Sequence, residues 1–94
     1  MNTVIHKYPL AIVTEQLLFL PADAELLSAQ MQGDALSLWA LVDPSQPPEA
    51  RKIRVYGTGH LVEDTDDLHY IGTTQMQISG GGALVWHVFE VMAI

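Results

Sequence analysis

The chain predicts an all-β fold, an antiparallel β-sandwich or small barrel of about seven strands, on three observations. Runs rich in β-branched and aromatic residues recur at intervals of roughly ten residues, separated by Gly, Pro and Asp. Several of these runs alternate apolar and polar side chains, the period of a half-buried strand. Two others, Ala35 to Val42 and Ala83 to Glu90, are apolar on both sides of the alternation, and the first reads as a central strand. With 94 residues the chain supports one core, so residues 1–94 are expected to form a single β-rich domain.

The elements follow in order. Thr3 to Tyr8 sets Val4, His6 and Tyr8 against Thr3, Ile5 and Lys7, and Pro9 is expected to end or interrupt its ladder. Gln16 to Leu20 is closed by Pro21, and the short Pro21-Ala22-Asp23-Ala24 link suggests that Glu25 to Gln32 returns beside it as a hairpin. The alternative there is one short helix over Ala22 to Gln32, with Asp23 as its N-cap and Leu26, Leu27 and Gln30 suiting either period. Gly33-Asp34 marks a turn before the strand from Ala35. Asp43 to Glu49 holds three prolines in seven residues and reads as a loop. Arg51 to Tyr56 alternates, with Ile53 and Val55 inward and Lys52, Arg54 and Tyr56 outward. Gly57-Thr58-Gly59 ends that strand, Glu63 to Asp67 is an acidic turn, and His69 to Gln77 resumes the alternation. Gly80-Gly81-Gly82 precedes the last strand, and Val91 to Ile94 forms an apolar tail.

Eleven acidic and four basic residues leave a net charge of -7, yet 49% of the chain is hydrophobic, enough for a folded domain. Binding to duplex nucleic acid requires a basic face and is not expected from Lys7, Arg51, Lys52 and Arg54 alone. Three of those four fall between Arg51 and Arg54, which leaves one local positive spot for a small anion. No run approaches the ~20 apolar residues of a membrane span, and no secretory signal opens the chain. No cysteine is present, which excludes disulfides and thiol chemistry. A soluble, intracellular protein is the expectation.

The candidate ligand site is Arg54, Tyr56, Gly57, Thr58, Gly59 and His60. The two glycines open backbone amides to a ligand, Thr58 and His60 add polar groups, Arg54 pairs with an anion and Tyr56 stacks or hydrogen-bonds. The same glycines also suit a plain tight turn. No catalytic constellation is found and no cofactor is expected, so a non-enzymatic role follows: the serines lack a nucleophile-elbow context, and the carboxylates of Glu63 to Asp67 match neither a calcium loop nor an acid–base pair. His6, His60, His69 and His87 lack metal-site spacing, so no metal is expected; His60, Glu63 and His69 are the nearest set. Trp39 and Trp86 are expected in the core, and the apolar surplus of their two strands plus the tail points to a homo-oligomer.

The segments Ile5-His6-Lys7-Tyr8-Pro9-Leu10, Leu38 to Asp43, Tyr56-Gly57-Thr58-Gly59-His60, Tyr70-Ile71-Gly72-Thr73 and Val85-Trp86-His87-Val88-Phe89-Glu90 occur in an order that resembles a family of short, uncharacterised bacteriophage and prophage proteins. The likeness runs from Thr3 to Glu90; the tail and the triple glycine depart from it. The resemblance implies an accessory protein that acts by binding. One expected partner is a small anionic or nucleotide-like ligand, sequestered in an anti-defence role. The other is a host protein inhibited by an acidic surface.

Overall fold

The computed structural model describes residues 2–63 and 65–92. Among the described residues seven strands form: β1 (Val4–Leu10), β2 (Glu15–Pro21), β3 (Glu25–Gln32), β4 (Ala35–Val42), β5 (Pro48–Gly57), β6 (Leu68–Gln77) and β7 (Ala83–Val91). A single 3-10 turn, Thr65–Asp67, precedes β6. The strands build two antiparallel sheets, one ordered β1-β4-β3 and the other β2-β5-β7-β6. The all-β fold expected from the sequence is therefore the observed one.

Alternation explains which faces meet. Leu36, Leu38, Ala40 and Val42 of β4 turn inward, as do Ile53 and Val55 of β5 and Val88 of β7. Leu10, Leu20, Ala24 and Ala29 complete one core shared by both sheets. β4 is the centre of its sheet, as its two-sided apolar pattern predicts. Trp86 packs against this core, whereas Trp39 does not join it: it shares the opposite face of β4 with Lys7 and Ser28, its neighbours in register.

Three local expectations are corrected. β2 and β3 are not a hairpin; β2 pairs with β5 and β3 with β4. The link turns the chain from one sheet to the other, with Asp23 at φ 65° and the Ala22 N–H donating to the Pro47 carbonyl to continue the β2–β5 ladder. Glu25 to Gln32 is a strand as expected, and the alternative helix over Ala22 to Gln32 does not form. A bulge between Leu26 and Ser28 leaves Leu27 outside, so Leu26, Ala29 and Met31 face the core at spacings of three and two. That first spacing is what imitates a helical period. Finally, Pro9 does not end β1: the ladder runs through Pro9↔Ser37 to Leu10↔Leu36, which an edge strand permits. Pro48 likewise is the first residue of β5 rather than part of the loop.

The sheets close on each other along β3 and β6. Gly72 faces the Ala29 backbone, and a Cβ there would stand 3.0 Å from the Ala29 carbonyl oxygen and 3.2 Å from its nitrogen. Beside it the Met31 N–H donates to Thr74 Oγ1 at 2.9 Å, since that edge of β3 has no strand to bond. Gly72→Ala is expected to force the two backbones apart and destabilise the domain by about 1–2 kcal/mol, read from the midpoint of urea unfolding.

Across the core, Arg51 reaches inward from β5 to the Glu90 carboxylate on β7, with Nη2 donating to Oε1 at 2.9 Å and Nε to Oε2. Its Nη1 donates to the Ala24 carbonyl at 2.9 Å, which ties in the start of β3. Hydrogen bonding to Glu90, against the opposing effect of burial, raises the Arg51 pKa above its ordinary value. One of the three clustered cations is thus consumed by the fold.

Candidate functional site

The outer face of the four-stranded sheet collects the remaining chemistry. Residues opposite one another in an antiparallel ladder share a face, and the register aligns Arg54 with Phe89, Tyr56 with His87, Tyr70 with Phe89 and Thr73 with His87. Three strands, β5, β7 and β6, therefore present one surface. Phe89 stands at its centre, edge-on to Tyr56 at 6.0 Å and to Tyr70 at 5.6 Å between ring centroids. Tyr56 has its side chain on the outer face as expected, but it is buried there.

A polar row runs beside the aromatic one. His87 Nε2 lies 2.8 Å from Thr58 Oγ1, and its Nδ1 lies 3.1 Å from Thr73 Oγ1. Thr73 Oγ1 in turn is 2.6 Å from the Tyr70 hydroxyl. Hydroxyls donate or accept, so the chain Thr58–His87–Thr73–Tyr70 holds the imidazole with both ring nitrogens engaged. Tyr70 remains 55% exposed, which leaves its ring open for contact.

Arg54 borders this face and is not a free cation. Its Nε donates to Glu15 Oε1 at 2.9 Å and its Nη1 to the Tyr56 hydroxyl at 3.2 Å, and those two bonds, Glu15 foremost, raise its pKa. Lys52 also approaches Glu15, at 3.9 Å. Arg54 and Tyr56 line a hollow of about 230 Å³ with Thr14, Glu15, Leu61 and Glu63, so two carboxylates offset the positive spot.

The glycine turn is closed on itself. The Gly57 N–H donates to His60 Nδ1 at 3.0 Å, the Thr58 N–H to the Val85 carbonyl at 3.2 Å, and the His60 N–H to the Gly57 carbonyl at 3.0 Å. Gly59 takes φ 93°, which explains a glycine there. At Gly57 a Cβ would stand 2.9 Å from the His60 ring and 3.2 Å from the Trp86 ring, so the exposed His60 side chain would have to shift. These amides hold the turn rather than an open cradle. Gly57, Thr58 and His60 do line a cleft of about 260 Å³ with Leu84, Val85 and Trp86.

The structure thus divides the six residues expected at the site by place: Arg54, Tyr56 and Thr58 join the outer face, while Gly57, Gly59 and His60 form the turn at its end. Tyr70, Thr73, His87 and Phe89 complete the surface and are not among those six. Their signal is the alternation of His87 and Phe89 against Val88, which places both on the face opposite the core. Among the described residues no group of three or more His, Asp or Glu side chains is placed to hold a metal, and His69 lies apart from His60 on the exposed start of β6.

A family model, a domain of unknown function designated DUF7352, matches residues 1–93. The chain belongs to the DUF7352 family. No curated protein and no solved structure matches this DUF7352 chain. Among the described residues no helix is long and apolar enough to cross a membrane.

Proposed function

We propose that this DUF7352 chain is a non-catalytic binding protein whose ligand lies on the outer face of β5, β7 and β6. The ligand class that fits is a ring-bearing, hydroxyl-rich small molecule of nucleoside or nucleotide type. One observation carries this reading: an accessible aromatic ring, Tyr70, sits against a hydroxyl–imidazole row, with Arg54 across Phe89 on the same face. A planar base stacks on such a ring, and hydroxyls exchange hydrogen bonds with sugar and base edges. With Arg54 shared by Glu15, recognition rests on ring and hydroxyl contacts more than on phosphate charge. Sequestration of such a ligand inside a bacterial host, as an anti-defence accessory of a phage or prophage, is the setting we propose.

Thermal shift against a panel of nucleosides, mono-, di- and cyclic nucleotides tests the reading. At a hundredfold excess over Kd, a true ligand raises stability by roughly 2.7 kcal/mol and Tm by on the order of 10 °C. Tyr70→Ala, at an exposed position, is expected to weaken binding roughly tenfold without loss of fold. No shift with any member, or wild-type affinity in Tyr70→Ala, contradicts the assignment. The second reading, an acidic protein that inhibits a host protein, draws on the -7 charge and on exposed Leu17 and Phe19 on the same face. A host-lysate pulldown that depends on Phe19 but not on Thr73 separates it from the first.

A further inference from the structure

We infer that β2 is a pairing edge for a second copy of this chain, so that two four-stranded sheets join across a two-fold axis into one eight-stranded sheet. This does not rest on the ligand reading.

Each sheet has two edges, and an unpaired edge is a template for strand addition unless it is blunted or covered. The edges β3 and β6 cover each other through Ala29, Gly72, Met31 and Thr74. The β1 edge carries Lys7 and Pro9, both edge-blunting residues. β2 carries a charge and a proline only at its two ends, Glu15 and Pro21. Between Gln16 and Pro21 it holds only Leu17, Leu18, Phe19 and Leu20, without charge or bulge, and β5 is its one partner strand among the described residues. Leu17 and Phe19 point away from the core and are 58% and 63% exposed, although both are large apolar residues.

The backbone has the right parity. The Val55 N–H donates to the Thr14 carbonyl and the Ala22 N–H to the Pro47 carbonyl, so even-numbered residues of β2 bond to β5. Glu15, Leu17 and Phe19 then aim their N–H groups at the free edge. An antiparallel two-fold about Leu18 pairs all seven residues and sets Leu17 opposite Phe19 of the second copy, twice by symmetry. About six backbone hydrogen bonds form, and Pro21 withholds a donor only at each end. Charge permits this register despite a chain of -7. Glu15 lies opposite Pro21, about 20 Å from its symmetry mate, beyond the Debye length of ~8 Å at physiological salt. It is also the carboxylate that Arg54 and Lys52 already offset. The apolar, uncharged centre of this pairing fits its own copy better than a charged partner.

Sedimentation of the purified chain over a micromolar concentration series, with hydrogen exchange, tests the inference. The wild type is expected to be dimeric, with concentration-dependent protection of the Leu17 and Phe19 amides. The double variant Leu17→Lys/Phe19→Lys places lysine opposite lysine and is expected to weaken the dimer at least roughly tenfold. Leu17→Glu/Phe19→Lys, at the same exposed positions, places glutamate opposite lysine and is expected to restore it. A monomeric wild type, a Lys/Lys variant that stays dimeric, or a Glu/Lys variant as weak as Lys/Lys overturns the assignment.

Discussion

Glu90→Ala is expected to destabilise the fold by about 3–5 kcal/mol, a large share of the roughly 5–15 kcal/mol that holds a small domain together. Glu90 is 5% exposed, and its carboxylate takes two hydrogen bonds from Arg51. Its removal leaves a partly buried guanidinium with the Ala24 carbonyl as its remaining hydrogen-bond partner. The effect comes mainly from that stranded charge and not from the worth of the pair. Arg51→Met combined with Glu90→Met is therefore expected to be far milder than either single alanine variant. Urea unfolding of the two single alanine variants and the double methionine variant reads the difference, and a loss under 1 kcal/mol in Glu90→Ala would show that the pair is not held as described.

Leu38→Ala is expected to cost about 2–5 kcal/mol, because the side chain is fully buried at the centre of β4 and both sheets pack around it. Register places it between Tyr8 of β1 and Ala29 of β3, so neither neighbour can shift far to fill the space. Leu27→Ala makes the same chemical change on the exposed side of β3 and is expected to alter stability by no more than about 0.5 kcal/mol. Equal losses in the two variants would mean that the inner and outer faces are misassigned.

Much of this architecture is legible in the sequence. The two-sided apolar run marks β4 as an interior strand, and the Ile53/Val55 alternation orients β5 correctly. Pairing is less legible, because a short turn between strands usually closes a hairpin, yet Pro21 to Ala24 moves the chain between sheets. Bulges hide in the same way: Leu26, Leu27 and Gln30 suit a helical period as well as a strand until Leu27 is seen to sit outside the ladder.

The candidate site is half visible in the same sense. Arg54, Tyr56 and Thr58 stand close in sequence, whereas the residues that complete their surface lie on β6 and β7 and meet them only through register. The same distance conceals the neutralisation of the basic cluster. Glu15 and Glu90 are each 39 residues from the arginine they engage. A local excess of positive charge in the sequence thus becomes one internal tie and one shared surface pair.

The most direct measurement is an NMR titration of the labelled chain with a nucleotide that stabilises it in the thermal screen. Shift changes are expected to concentrate on Tyr56, Tyr70, Thr73, His87 and Phe89, with His87 ring signals among the largest. Changes confined to the Asp43 to Pro47 loop or to the Trp39 face of the other sheet, or no saturable change, would contradict the assignment of the outer face as the binding surface.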